Sequence, residues 1–282
     1  MKTGIVFEGG ASRTAYSCGV MDALLDNGLY MDYVIGVSAG IAFGISYSSR
    51  QVGRNKRIFA EFMHDPRYMG IRHFLGKKKS YYNFDFAFGE MPERYLPYDW
   101  EAYKNYGENA NAVITNIETG LAEYYPVTCE DKKWMLLRAS SSLPILFPPV
   151  EINGKKYMDG GITDSIPFEK AFEDGCDKVI VVLTRERGFV KKPESILPLI
   201  KMTYKKYPNL IKALENRHIM YNNQLKKLYE LEKEGKVMVI APADTHKIGR
   251  TERRPEILIP YFEEGYKDTE KIIEEIREFT NN

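Results

Sequence analysis

Short apolar runs alternate with stretches of helical periodicity along the first half of the chain. Thr3 to Phe7 is an apolar run that ends in Glu8-Gly9-Gly10-Ala11-Ser12, after which Ala15, Val20, Ala23 and Leu24 share one helical face. Asn27-Gly28 closes that helix. Tyr33-Val34-Ile35 forms a second apolar run, and Gly36-Val37-Ser38-Ala39-Gly40 leads into another helical stretch that ends near Gly53. Strand, helix, strand, helix in this order predicts a parallel sheet buried between helices, because the crossover helices cover its faces.

From Pro66 to Trp100 the pattern loosens and aromatics accumulate, which predicts irregular structure with short helices. Asn111 to Glu118 and Leu121 to Val127 read as two strands joined at Thr119-Gly120, and Lys132 to Ser141 as a helix. A proline-rich connection, Leu143 to Pro149, reaches a hairpin around Asn153-Gly154, whose second arm ends at Met158-Asp159-Gly160-Gly161. Lys178 to Leu183 is a buried strand. After Thr184 basic residues cluster. Asn209 to Gly235 then reads as one long helix with Leu210, Leu214, Tyr221, Leu225 and Leu228 on a stripe. A short strand, Lys236 to Ala241, and a final helix from about Ile257 follow. No internal repeat is visible.

Composition narrows the class. The 282 residues are 44% hydrophobic and 28% charged, which excludes disordered, collagenous and disulfide-scaffold chains. A net charge of +1 leaves no basic excess for nucleic acid. Cys18, Cys129 and Cys176 are scattered and odd in number, as suits reduced thiols in the cytoplasm. The first residues reach Glu8 without the apolar core of a signal peptide, so secretion is not expected. The uncharged stretch Tyr33 to Ser49 is too short for a typical membrane span and is interrupted by Gly36, Gly40 and Gly44.

The chemistry starts at Ser38. Its pentapeptide matches a nucleophile elbow, in which a strand turns sharply into a helix and lifts a serine hydroxyl clear of the sheet; Gly36 and Gly40 let the turn form without clashes. Two bases are open. His218 or His246 would give the order Ser, Asp, His, although only one strand precedes the elbow strand and His218 lies inside the long helix. The alternative is Asp159, at the end of a hairpin arm where Gly160-Gly161 can turn the chain back. As a base at neutral pH it needs surroundings that raise its ordinary pKa of about 3.9. Gly9-Gly10-Ala11-Ser12-Arg13, at a strand end opening onto a helix, offers backbone N–H groups to a developing negative charge. Arg13 could hold an anion or the loop itself.

These three segments, Glu8 to Arg13, Gly36 to Gly40 and Asp159 to Gly161, stand in the order used by patatin-like phospholipases, which the chain resembles over about residues 4 to 185, as a bacterial member. The resemblance implies a three-layer α/β/α sandwich, a catalytic domain at 4–185, and a mainly helical C-terminal accessory region at 186–282. It implies Ser38 as nucleophile, Asp159 as base without histidine, and an oxyanion hole from Gly9, Gly10 and Ala11. The implied activity is hydrolysis of a lipid or other acyl ester through an acyl-enzyme, with no metal or organic cofactor. Two positions depart from the family pattern: Ala11 replaces its third glycine, and Thr14 the glycine after its arginine. An alanine is costly where φ is positive, so Ala11 bears on the loop conformation. A lipid-binding module that has lost turnover is the reading from a different class.

Three further features remain. Tyr81 to Phe88 alternates aromatics that either wall an acyl pocket or pack in the core. Asn116, at a strand end, is a candidate support for the site. Lys77-Lys78-Lys79, and the basic segment Arg185 to Lys206, suggest peripheral contact of a cytoplasmic enzyme with an anionic membrane.

Overall fold

The computed structural model of the chain describes residues 1–74, 80–131 and 133–281. Among them, β1 (Thr3–Phe7), β2 (Tyr33–Val37), β3 (Ala110–Asn116), β4 (Leu121–Pro126), β5 (Val150–Ile152), β6 (Lys155–Asp159), β7 (Lys178–Val182) and β8 (Val237–Ile240) join in one sheet. The strands β3, β2, β1, β7 and β8 lie in that order and run parallel. The strands β4 and β6 pair antiparallel with β3, and β5 with β6.

Side chains alternate across a strand, so a run that is apolar throughout must be covered on both faces. Ile5, Phe7, Val34, Ile180 and Val182 pack against α1 (Thr14–Asp26) and α2 (Ala39–Ser48). The intervening Val6, Ile35, Val37, Val179 and Val181 pack on the opposite face with Tyr221, Leu225 and Leu228 of the helix Pro208–Lys233. Three layers result, as the resemblance implies. The C-terminal part completes them: β8 extends the sheet, and the helix Pro255–Lys271 lies on α1, with the ring of Tyr261 5.6 Å from that of Tyr16.

The arrangement that matters for the site is on β3. The strand β4 pairs along residues 111–116 and so occupies one edge. The other edge is shared end to end: β2 pairs with residues 110–113, and β6 with residues 114–116. Running parallel, β2 ends at Val37 opposite Val113. Running antiparallel, β6 ends at Asp159 opposite Ile114. The two strands therefore deliver Ser38 and Asp159 to neighbouring positions of one template.

Local chemistry explains most boundaries. The turn between β5 and β6 has positive φ at both Asn153 and Gly154, the conformation that Asn-Gly favours in a two-residue hairpin. The helix expected from Lys132 begins at Met135, where the Asp131 carboxylate accepts the N–H groups of Met135 and Leu136. The loose region after Pro66 contains a wide helix, Phe86–Tyr95, with Pro92 inside it.

Candidate active site

Ser38 sits between β2 and α2 with φ 54° and ψ −129°, a conformation that costs a residue with a β-carbon and that fits the sharp strand-to-helix turn expected there. Close approach makes the turn possible. A β-carbon on Gly40 would stand 2.3 Å from the Phe7 carbonyl oxygen, and one on Gly9 2.8 Å from that of Val37. Gly36 lies within β2 and Gly40 within α2. The Ser38 N–H donates to Ser140 Oγ at 2.8 Å, which ties the elbow to the helix Met135–Ser140.

Asp159 is 2% exposed. The chain turns through Gly160 and Gly161, and the Gly161 N–H donates to Asp159 Oδ1 at 2.8 Å. Oδ2 is buried with no hydrogen-bond partner. Burial raises the carboxyl above the usual carboxylate range, while Arg217, the Ser38 hydroxyl, the Gly161 N–H and Arg250 pull it back. Ser38 and Asp159 line the same polar cavity, and the Ser38 hydroxyl favours the charged form of the carboxyl.

In the loop after β1, the Arg13 N–H donates to the Gly10 carbonyl and the Ser12 N–H to that of Arg250. Among the described residues, no acceptor takes the N–H of Gly9, Gly10 or Ala11. Ala11 has φ 50°, so the residue that departs from the family pattern sits in the left-handed region that glycine prefers. Arg13 is buried, its Nε has no partner, and burial, then Arg185, lower its pKa to about 10, with Glu8 raising it.

Two cavities meet at Ser38. One encloses roughly 880 Å³ of empty space, part of it open to solvent, and is walled by Phe43, Met63, Tyr82, Phe84, Phe88 and Phe147, among other apolar residues. The aromatic stretch thus divides: Tyr82, Phe84 and Phe88 face this cavity, while Phe86 is buried in the core. Its alternation suits a strand, but the residues lie on a helix from Phe86 onward. Arg54 lines the same cavity, with Nη1 donating to Ser46 Oγ and Nη2 to the Leu96 carbonyl. The other cavity is polar, and Glu8, Asp159, Arg217 and Tyr221 are on its wall.

Among the described residues, no histidine lines either cavity. His246 is exposed and bonds Glu264, and His73 bonds the Pro66 carbonyl. Asn116 caps the β3–β4 turn, accepting the N–H groups of Glu118 and Thr119, and stays away from Ser38. Lys77, Lys78 and Lys79 lie outside the described residues.

Several residues support the site through contacts that the sequence does not show. Glu8 is buried and accepts from Thr184 N–H at 2.6 Å, Thr184 Oγ1 at 3.0 Å and Tyr221 Oη at 2.7 Å, locking the ends of β1 and β7 to the long helix. Arg217 donates through Nε to the Gly161 carbonyl at 2.5 Å and pairs with Glu194 at 2.8 Å, so it clamps the turn that holds Asp159. The Arg250 carbonyl accepts from Ser12 Oγ and Tyr82 Oη, fastening the segment before the last helices to the glycine loop. Each needs a partner far away in sequence to be recognised.

Comparison with known proteins adds kinship to this geometry. Residues 207–281 match a domain of unknown function (DUF6363). Among curated relatives, Lysophospholipase NTE1 of Meyerozyma guilliermondii is 29% identical over 196 residues, covering 64% of this chain and 12% of the relative. That of Saccharomyces cerevisiae is 25% identical over 193 residues, covering 64% and 10%. The chain therefore spans about an eighth or less of the length of these relatives. A similar solved structure is VipD from Legionella pneumophila, with a TM-score of 0.47 and 13% identity, covering 97% of this chain and 67% of that one. Residues 5–172, more than half of the chain, match the patatin-like phospholipase model, and the chain belongs to that family of carboxylic ester hydrolases.

Proposed function

We propose that the chain hydrolyses lipid carboxylic esters through Ser38 and Asp159. The Ser38 hydroxyl loses its proton to Asp159 Oδ2 and attacks the ester carbonyl carbon. The N–H groups of Gly10 and Ala11, with Gly9 beside them, hold the resulting oxyanion. Asp159 returns its proton to the departing alcohol, leaving an acyl-enzyme. Water, deprotonated by the same carboxylate, then releases the acid and restores the serine.

One observation carries this reading: a buried carboxylate oxygen without a partner, brought beside the elbow serine on one edge of β3. The lack of a histidine on either cavity wall supports a dyad over a triad. The apolar cavity suits an acyl chain. In this reading residues 4–185 carry the chemistry and 186–282 are accessory to it. We also propose contact with an anionic membrane through the helix Leu197–Thr203, where Leu199 and Met202 are exposed near Lys205 and Lys206. Among the described residues, no helix is long and apolar enough to cross a membrane.

A fluorophosphonate probe tests the nucleophile. Covalent labelling at Ser38, located by mass spectrometry and lost in Asp159→Asn, is the expected result. An unlabelled folded protein would favour the binding module.

A further inference from the structure

The polar cavity across Ser38 from the acyl side is lined by five cations, Arg13, Arg185, Lys191, Arg217 and Arg250 on four separate segments. Its carboxylates do not balance them. Glu8, which accepts from Thr184 and Tyr221, and Asp159, which accepts from Gly161, are the two carboxylates on its wall against these five cations. Glu194 pairs with Arg217 at 2.8 Å and lies 3.8 Å from Arg250, one carboxylate against two guanidinium groups. Arg13 is 6% exposed, and its Nε has no hydrogen-bond partner. A buried guanidinium among like charges on a cavity wall favours an anion beside it.

The same wall disfavours a cationic group. A quaternary ammonium needs open aromatic faces or free carboxylates. The two rings here are Phe189 and Tyr221, and both are covered by the protein's own cations: Arg185 lies 4.4 Å from the first centroid, and Lys191 4.9 Å from the second.

We propose that this cavity binds a phosphate monoester on the alcohol side of the scissile ester, so that the substrate is an acyl glycerol phosphate rather than a choline-capped lipid. The inference rests on Ser38 being the nucleophile, since Ser38, Ala11 and Leu143 line both cavities and so join the acyl side to the alcohol side. Two charges on a terminal phosphate match the surplus of cations better than the single charge of a diester. Lys191 on the same wall is part of this cluster. Burial, then Arg217, lower its pKa to about 7, with Arg250 lowering and Glu194 and Glu8 raising it. An arriving dianion would restore its charge.

The full chain is assayed on 1-oleoylglycerol 3-phosphate, 1-oleoylglycerol and 1-oleoylglycero-3-phosphocholine in identical mixed micelles. The phosphate monoester is expected to have a kcat/KM at least 10-fold above both others. In Lys191→Gln/Arg250→Gln that preference is expected to fall at least 10-fold; the backbone anchors of Arg250 do not use its side chain. Equal kcat/KM on the three lipids, or a preference unchanged in the double variant, overturns the proposal. Calorimetry with glycerol 3-phosphate and inorganic phosphate separates the sources. Binding of either, without preference among the lipids, makes the site one for free phosphate and overturns the substrate assignment. If even p-nitrophenyl butyrate is not hydrolysed, the hydrolase reading fails by itself. Glycerol 3-phosphate binding that is lost in the double variant would then still support the phosphate site, and absence of binding would overturn it.

Discussion

The cavities on either side of Ser38 are built in opposite ways. Residues between Ala11 and Phe147 wall the apolar one, mostly from α2, the wide helix Phe86–Tyr95 and the segment around Trp134 to Phe147. Its buried cation Arg54 donates to Ser46 and the Leu96 carbonyl, its Nε has no partner, and burial lowers its pKa to about 10. The polar cavity draws on residues from Glu8 to Arg250, and its cations outnumber the carboxylates that reach them. Apolar walls tolerate many sequences because contact is non-directional. A cluster of like charges is stable only if each group is placed against a backbone or a partner, and that needs distant segments.

If Ser38 is the boundary between the two sides, removing it ends turnover whatever the substrate. Ser38→Ala and Asp159→Asn should each reduce kcat by about 10⁴-fold or more, as members of one unit do. His218→Ala and His246→Ala should stay within a few fold. A folded histidine variant as inactive as Ser38→Ala would break the dyad reading.

Arg217 belongs to the polar side but acts on the boundary. Arg217→Met frees the turn that aims Asp159, and kcat should fall by about 10²-fold, as for a displaced catalytic group. The pH profile separates positioning from a general loss of fold. The proposed reaction uses the Asp159 carboxylate, so activity should fall as pH drops through its pKa, which burial already holds above the ordinary range. Removing the Arg217 charge raises that pKa further, so the acid limb of kcat/KM should move to higher pH. An unmoved limb would assign Arg217 a structural role alone.

The acyl side is sharpened by Ala42→Leu, which fills part of the apolar cavity. Excluding two methylenes costs about 1.6 kcal/mol, so kcat/KM for oleoyl relative to butyryl esters should fall about tenfold. The preference between head groups should not follow. If both ratios fall together, the cavities are not separate subsites.

The smallest effect is expected at Ala11, between the two. Glycine relieves the positive φ, a gain of about 1 kcal/mol partly offset by the added freedom of the unfolded chain. Thermal unfolding should show Ala11→Gly as stable as the parent or higher in Tm by about 2 °C, with activity retained. A clear loss of stability would mean that the alanine methyl makes contacts worth more than the strain. Proline at this position is uninformative, since it deletes the N–H and also forbids φ 50°.

Sequence pattern alone located β1, β2, β7, β8 and the hairpin to within a residue or two. Their signals are local: an apolar run long enough for one strand, or an Asn-Gly pair whose backbone preference sets the turn. The sharp turn at Ser38 was legible because it needs small neighbours on both sides, and the turn at Asp159 because two glycines follow it. Arg217 was not legible, being one of many charged residues on a long helix. Tyr221 was read as part of that helix's apolar stripe, which it is, yet its hydroxyl also holds Glu8 from 213 residues away.

What the sequence by itself determined is the order of elements, the buried parallel sheet and the tight turns at Ser38 and Asp159, because periodicity and tight turns are properties of neighbours along the chain. What only the tertiary structure decided is their meeting. The strands β2 and β6 abut on one edge of β3, and four loops and helices carry cations to the far side of Ser38. Strand register and charge placement depend on packing between segments far apart in the chain, and no local pattern encodes which distant partner will arrive.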